Sequence, residues 1–301
     1  MTEIPKTEIP KTEIPKSEIA ADRLVSDLPV AELPTRPIEA GWLALREPAD
    51  TRARDRAADT LLPPLLELLS QRAGSEGSGG LRIVDLGAGT GSNLRWLASR
   101  LPEPDRQHWM LVDHDPGLLA RGPVQATAVR ADVADLARVL PELGGADLIT
   151  TAALLDLLDR RELTAIVEAV VDAQLPALFS LTVTGDVTLD PTDPQDEPIA
   201  AAFDAHQRRD ARPGPDSAAV TAELFRERGW PVQSADTAWE LTSEESALVN
   251  AWLEGRVEAA VEHRPELAAE AAGWLVRRRE QLASGALTVL VGHVDLLALP
   301  K

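Results

Sequence analysis

Three glycines at alternate positions mark the stretch of this chain whose residue types and spacing indicate chemistry. Gly87, Gly89 and Gly91 follow a short apolar run that begins at Leu81 and contains one acid, Asp85. An apolar run with β-branched residues predicts a strand buried on both faces, and the segment after Gly91 has the apolar spacing of a helix. A strand, a glycine turn and a helix in this order bring bare backbone N–H groups and a helix N-terminus to a ligand, because no Cβ atom blocks the approach.

Further acids follow the next two predicted strands. Asp113 ends the second apolar run, about 20 residues past the glycines, where a carboxylate can bind both hydroxyls of a ribose. Asp132 follows the third predicted strand, residues 127–131. Either acid alone could serve as a turn residue or an N-cap, as we expect of Asp115 before Pro116. The ordered set of acids at successive strand ends favours a cofactor site.

The run D-x-G-x-G-x-G at residues 85–91 resembles motif I of the class I S-adenosylmethionine-dependent methyltransferases. The dinucleotide fingerprint G-x-G-x-x-G would instead place its third glycine at position 92, which is Ser92. The segment LVDHDPGLL is similar to the family's second motif, with Asp113 at the ribose position. RADVADL is similar to the segment whose side chain, here Asp132, meets the adenine amino group. The resemblance spans residues 81–298.

The resemblance implies a doubly wound, Rossmann-like α/β fold with a seven-stranded methyltransferase sheet, an N-terminal helical cover and helical insertions. The alternation of strands and helices after the glycine turn independently predicts a parallel sheet. The implied activity is methyl transfer from S-adenosylmethionine to a small-molecule acceptor. The implied cofactor-binding residues are Asp85, Gly87, Ala88, Gly89, Gly91, Asn93, Asp113, His114, Asp132, Val133 and Thr151.

Two side chains are candidates for a catalytic base on the acceptor side. Asp156 lies just after the fourth predicted strand, where the resembled family places acceptor-facing residues. His206 lies on a polar helix face with Arg208 and Arg209, which could hold an anionic acceptor. That helix face could equally be exposed to solvent, and an acceptor that needs no base would require neither residue.

The sequence divides into three parts. Residues 1–20 repeat the unit TEIPK and are expected to form a disordered tail, since proline at every fifth position forbids a regular helix. Residues 21–80 are expected to form a helical segment and a linker, and residues 81–301 the methyltransferase domain. Within that domain, residues 188–212 are rich in Asp and Pro and are predicted to be an insertion that forms a lid.

The N-terminal helical segment is the predicted cover of the cofactor and acceptor sites. Its leucine-rich pattern over residues 51–70 is expected to break at Pro63–Pro64. Trp42 and Arg46 are the residues of this cover that we expect to touch the acceptor. Core packing and a surface ion pair are the alternative interpretations of these two residues.

Composition excludes several classes of function. The formal net charge of −19 repels a phosphate backbone, so nucleic acid is not expected as a substrate. The chain has no cysteine, and no spacing of His, Asp and Glu predicts a metal site. No apolar run reaches the roughly 18 residues of a membrane span, and no signal peptide is recognisable, so we expect a cytoplasmic protein without a membrane partner.

Two other functions remain open at this point. One is an NAD(P)-dependent oxidoreductase on a Rossmann fold, which Ser92 and the acid after the third strand disfavour. The other is a non-catalytic regulator that retains the cofactor site. The identity of the acceptor and the oligomeric state do not follow from the sequence.

Overall fold

The computed structural model describes residues 38–73 and 79–301. Residues 1–37, which include the predicted tail, and residues 74–78, which include most of the predicted linker, lie outside the described part. The strands are β1 (Leu81–Leu86), β2 (Gln107–Asp113), β3 (Thr127–Arg130), β4 (Leu148–Ala152), β5 (Ala177–Asp190), β6 (Val232–Asp236), β7 (Trp239–Leu241) and β8 (Thr288–Ala298). The α-helices are α1 (Ala40–Ala73), α2 (Ser92–Leu97), α3 (Pro116–Leu119), α4 (Leu136–Glu142), α5 (Arg160–Asp172), α6 (Asp196–Gln207), α7 (Ser217–Glu227), α8 (Ser246–His263) and α9 (Ala268–Ala283).

The strands form one sheet in the order β3-β2-β1-β4-β5-β8-β6, and β7 pairs with β8 outside this path. The five strands from β3 to β5 in this order (β3, β2, β1, β4 and β5) run parallel, whereas β8 is antiparallel to β5 and to β6. This confirms the predicted doubly wound sheet. The chain order reverses between β1 and β4, and ligands of open α/β sheets bind at such a switch point, beyond the carboxyl ends of the strands.

The sheet buries apolar side chains on both of its faces. Helix α1 covers one face, where Leu61, Leu65 and Leu69 pack with Ile83 and Leu148. The opposite face packs against α4, α5 and α7. A third cluster joins the first half of α1 to the outer part of β5 and to α6, α8 and α9.

Helix α1 continues through Pro63–Pro64, so the predicted break there is wrong. Proline removes a helical hydrogen bond and crowds the preceding turn, at a cost of about 3 kcal/mol in a helix interior. Buried leucines on both sides of the pair offset this cost, because each contributes roughly 1.5–3 kcal/mol when it leaves water. Leu61 and Leu65 are at most 1% exposed.

Strand β5 runs as far as Asp190, into the segment 188–212 that was predicted to be an insertion. Its last three residues, Thr188–Asp190, pair with Thr288–Leu290 of β8, so the predicted insertion begins as a strand. Helix α6 then occupies Asp196–Gln207, and the short strand β7 was not predicted. The cause is long-range: the first half of β8 supplies the partner for both segments.

Among the described residues, none of the helices is long and apolar enough to cross a membrane.

Candidate active site

The glycine turn after β1 has the conformation that its sequence requires. Gly87, Gly89 and Gly91 have φ values of 60°, 53° and 77°, in the region that side-chain-bearing residues rarely adopt. A Cβ on Gly91 would lie 2.6 Å from Pro123 Cδ, and a Cβ on Gly89 would lie 3.0 Å from Leu43 of α1. The turn is therefore a backbone surface that only glycine can form, and α1 packs over it. Ala88 is buried between these glycines.

Asp113, the predicted ribose-binding acid, lies against this turn. It is 5% exposed, and its Oδ2 accepts a hydrogen bond from the Gly89 N–H at 2.8 Å. Its Oδ1 accepts from the Asp115 N–H at 2.9 Å. The His114 ring is exposed beside it, with Nδ1 3.4 Å from Asp113 Oδ1. The structure thus brings Asp113 and His114 to the glycine turn, on the side of the sheet reversal.

Asp132 and Val133 lie beyond the end of β3. The Asp132 side chain accepts a hydrogen bond from the Ala134 N–H at 2.9 Å and caps a short 3-10 turn. It forms the N-cap that the sequence left as an alternative, so its role toward adenine stays a prediction. Thr151 is buried, and its hydroxyl donates to the Leu86 carbonyl at 2.7 Å, which ties β4 to β1 beside the turn.

A buried polar network links Asp85 to α1. Asp85 Oδ1 accepts a hydrogen bond from Asn93 Nδ2 at 2.8 Å, and the same nitrogen lies 3.0 Å from Thr150 Oγ1. Arg54 Nη1 donates to Asn93 Oδ1 at 3.0 Å. Burial raises the pKa of Asp85 to about 7, although the hydrogen bond from Asn93 and the charge of Arg54 act in the opposite direction.

Arg54 is a site residue that the sequence interpretation missed. It is fully buried, stacks 4.7 Å from the ring centroid of Trp96, and lies close enough to Asp50, Asp85 and Asp295 for their charges to raise its pKa. Burial outweighs these charges and lowers the pKa of Arg54 overall. Its spacing of 7 and 11 residues from Leu61 and Leu65 places it on the apolar face of the helix and would have indicated its burial.

Polar atoms without a partner remain buried in this region. Arg54 Nη2 and Asp85 Oδ2 are buried and make no hydrogen bond to any described residue. Native proteins leave few buried polar groups unpaired, so such atoms indicate a place where a polar group binds. The glycine turn, the Asp113 carboxylate and these atoms together fit a polar cofactor at the switch point.

The predicted acceptor residues of α1 lie together. The Trp42 ring packs edge-on against Trp239, with centroids 6.4 Å apart. Arg46 Nε lies 2.9 Å from Asp50 Oδ2, and its guanidinium stacks 5.0 Å from the Trp239 ring centroid. Trp239 Nε1 donates to Asp50 Oδ1 at 3.0 Å. Core packing and an ion pair, the alternatives for these residues, are therefore both present.

Asp156 shares its electrostatic surroundings with Arg46. Burial raises the pKa of Asp156, while the charges of Arg46 and Arg212 act to lower it. Asp156 follows β4 in a turn that contacts the glycine turn, because Leu154 of the same segment lies where a Cβ of Gly87 would be. The structure thus brings one catalytic candidate, Asp156, near one acceptor candidate, Arg46.

The candidates on α6 lie against α8. His206 Nε2 is 3.3 Å from Glu262 Oε2, and Arg209 contacts His206 and pairs with the same carboxylate at 2.8 Å. Burial and Arg209 lower the pKa of His206. Arg208 pairs with Asp216 at 3.0 Å. These contacts join the three residues to Glu262 and Asp216 rather than to the glycine turn, and their roles in the reaction stay predictions.

Residues 38–73 and 79–301 contain no cluster of three or more His, Asp or Glu side chains that could hold a metal ion.

Comparison with curated proteins gives no match. Among solved structures, the phosphoethanolamine N-methyltransferase 2 of Haemonchus contortus, in complex with S-adenosyl-L-methionine, is 14% identical, with 79% of this chain covered and a TM-score of 0.38. This chain spans only 53% of that protein. The YcgJ protein of Bacillus subtilis is 13% identical over 80% of this chain and 98% of its own, with a TM-score of 0.42.

The geranyl diphosphate C-methyltransferase of Streptomyces coelicolor A3(2), in complex with S-adenosyl-L-homocysteine, is 11% identical over 79% of each chain, with a TM-score of 0.38. TM-scores below 0.5 support no functional statement about this chain. The family comparison is more specific, because residues 83–176 match the model of a methyltransferase domain. This match spans β1 to the loop before β5, and so contains the glycine turn, Asp113 and Asp156. Residues 83–176 thus match a methyltransferase domain, and this match lies in the part of the sheet that the glycine motif predicted, in agreement with the predicted family and enzyme class.

Proposed function

We propose that this chain transfers a methyl group from S-adenosylmethionine to a small-molecule acceptor. The observation that carries the proposal is the glycine turn against the Asp113 carboxylate, at the point where the strand order reverses. Backbone N–H groups and a carboxylate at this place suit a ligand with a ribose and an amino-acid group. The family match of residues 83–176 supports the same cofactor.

The residues of this chain hold and orient the two reactants. When bound, S-adenosylmethionine supplies a methyl group that its sulfonium sulfur has activated. In the proposal, Asp113 accepts hydrogen bonds from the ribose hydroxyls, His114 lies beside the ribose, and Asp132 and Val133 contact the adenine. Asp85, Asn93 and Thr151 support the turn from beneath, through the bonds that they make to neighbouring elements.

The acceptor is proposed to bind between the turn after β4 and the first half of α1. Asp156 has a raised pKa and a partly desolvated carboxyl group, which suits a side chain that takes a proton from an acceptor. Arg46 offers a positive charge and Trp42 an aromatic surface to the same region. Coverage of the turn by α1 favours a small acceptor, and the net charge of −19 opposes nucleic acid. The proposed compartment is the cytoplasm, on the sequence expectations alone.

Calorimetric titration tests the cofactor proposal. S-adenosylhomocysteine should bind the full-length protein, whereas NADH should not. Asp113→Ala should weaken S-adenosylhomocysteine binding on the order of 100-fold, because it removes two charge-assisted hydrogen bonds of roughly 1.5–3 kcal/mol each. Asp115→Ala, in the same loop, is the control and should leave the affinity unchanged. Binding of NADH alone would identify the protein as an oxidoreductase instead.

Incubation with a metabolite extract tests whether the protein is a catalyst. Formation of S-adenosylhomocysteine above the rate without extract is the expected result. A protein that binds the cofactor tightly but forms no product with any extract fraction would be a non-catalytic regulator.

A further inference from the structure

A second cavity lies outside the methyltransferase site, between the outer part of β5 and helices α6, α8 and α9. Its volume is about 350 Å³, at the lower end of the range for small-molecule sites. Leu189, Ala200 and Trp274 are among its apolar walls, and Arg256 lines it as well. Its lining contains no residue of the glycine turn, so the cavity is separate from the proposed cofactor site.

Arg256 is buried in this cavity wall and forms no ion pair with any described residue. It is 4% exposed, and its Nη2 makes no hydrogen bond. The rings of Phe203 and Trp252 lie 4.6 Å and 5.2 Å from its guanidinium carbon. Burial lowers the pKa of Arg256 to about 10, so the side chain still carries its charge at neutral pH.

The nearest acids do not hydrogen-bond to Arg256. Asp196 and Glu197 both line the same cavity. The Asp196 carboxylate accepts hydrogen bonds from Trp274 Nε1 at 2.7 Å and from Arg278 Nη2 at 2.6 Å. Asp204 acts on Arg256 only through its charge, and its own Oδ1 is buried without a partner. Nη2 of Arg256 therefore has no acceptor among the described residues, and it lies in a side chain that lines the cavity.

The buried guanidinium and the apolar walls of the cavity indicate which kind of ligand would bind. A buried cation without a hydrogen-bonded partner is costly, and a carboxylate relieves that cost because its two oxygens match the planar fork of arginine. Aromatic rings over the guanidinium leave its edge for such in-plane hydrogen bonds. The apolar walls of the cavity suit a hydrophobic body attached to the carboxylate.

We propose that this cavity, which we call the Arg256 cavity, binds a small monocarboxylate with an apolar body. The carboxylate pairs with Arg256, and the apolar body packs against Leu189, Ala200 and Trp274. This site is independent of the methyl-transfer proposal and does not require it.

Titration of the full-length protein with phenylacetate, followed by saturation-transfer NMR and calorimetry, tests the proposal. Phenylacetate should bind, while neutral phenylacetamide and cationic phenethylamine should bind at least 10-fold more weakly. Arg256→Met keeps an apolar stem but removes the guanidinium, and it should weaken phenylacetate binding by roughly 10- to 100-fold. Arg279→Gln, which removes an exposed ion pair with Glu254 on α8, is the matched control and should bind as the wild type does.

A second variant keeps the proposal testable if Arg256→Met does not fold. Ala200→Phe fills the cavity while Arg256 stays in place, and it should also abolish phenylacetate binding. Equal binding of phenylacetate and phenylacetamide, wild-type affinity in either variant, or no binding of phenylacetate at millimolar concentration would each overturn the proposal. Competition between phenylacetate and S-adenosylhomocysteine would also overturn it, because the two sites share no lining residue.

Discussion

At the scale of single residues, two acids of the glycine site differ in their surroundings. Asp113 accepts two backbone N–H bonds, one of them from the glycine turn, and these bonds fix the position of its carboxylate. Asp85 is fully buried, with one oxygen bonded to Asn93 and the other without a partner. The motif acid thus supports the turn from within the core, whereas the second acid faces the ligand side.

Substitution of Asp85 should change how stability depends on pH. The pKa of Asp85 is about 7 in the folded protein, above its ordinary value of 3.8, so the folded state holds the proton more tightly. The group stabilises the fold below about pH 4, and this contribution declines by about 1.4 kcal/mol per pH unit up to about pH 7. Asp85→Asn cannot ionise, so its free energy of unfolding should rise relative to that of the wild type across this window.

Chemical denaturation at several pH values between 4.5 and 7.5 measures this difference. The comparison with the variant is needed because His293 acts in the opposite direction: burial lowers its pKa to about 4, so its contribution to stability is lost as pH falls below about 6.5. A difference between wild type and Asp85→Asn that stays constant with pH would show that Asp85 is ionised throughout.

The reaction rates of two variants distinguish the candidate bases Asp156 and His206. Asp156→Asn should lower single-turnover methyl transfer by roughly 10²–10⁴ while S-adenosylhomocysteine affinity stays the same, because the carboxylate near Arg46 would no longer take the acceptor's proton. His206→Ala should have a small effect, since its imidazole contacts Glu262 and Arg209. A normal rate in Asp156→Asn with a slow His206→Ala would make His206 the base. Normal rates in both would mean that the acceptor needs no base.

At the scale of elements, α1 contributes more than the cover that the sequence predicted. Leu43 packs over Gly89, Arg46 stacks on Trp239 of β7, and Arg54 enters the network of Asp85. One continuous helix therefore contacts the glycine turn, the proposed acceptor region and the core.

The elements that the sequence predicted well are those with local signals. The glycine turn and the acids at the ends of β2 and β3 follow from patterns within a few residues of each other. The extension of β5 and the short strand β7 could not be predicted from such local patterns, because both depend on pairing with β8, far away in the chain. The continuity of α1 depends likewise on burial against the sheet, which local proline rules do not include. Arg54 and Arg256 were not predicted as buried residues, because the burial of an arginine depends on tertiary contacts rather than on its neighbours in sequence.

Substitution of Arg54 should show how much α1 depends on its buried charge. Arg54→Leu leaves Asn93 and the nearby carboxylates without their cation, and loss of one partner of a buried charged network costs about 3–5 kcal/mol. Urea denaturation measures the loss. Arg52→Ala, on the same helix, is the control: its side chain is 48% exposed and pairs with Glu245, so the expected change is at most about 1 kcal/mol. Equal effects of the two substitutions would remove the proposed role of Arg54.

At the scale of the whole molecule, acidity is a property of the domain rather than of the tail. The net charge is −19, and residues 1–20 contain three lysines and four glutamates, so they account for only −1 of it. Three of the four lysines in the chain lie in this repeat, whereas the rest of the chain uses arginine almost exclusively. The composition of the repeat is therefore unlike that of the domain, and residues 1–37 lie outside the described structure.

Removal of residues 1–20 should leave the domain unchanged. Among the described residues, the elements that build the sheet and the glycine site begin at Ala40. A repeat with one isoleucine per five residues cannot bury enough apolar surface to offset the entropy of ordering it. The truncated protein should therefore melt within a few degrees of the full-length chain and bind S-adenosylhomocysteine with the same affinity.

A larger drop in melting temperature would mean that the tail packs on the domain, and weaker binding without such a drop would mean that it contributes to the cofactor site. A variant in which the three repeat lysines are changed to glutamine separates these outcomes, because it keeps the length of the tail and removes only its positive charge.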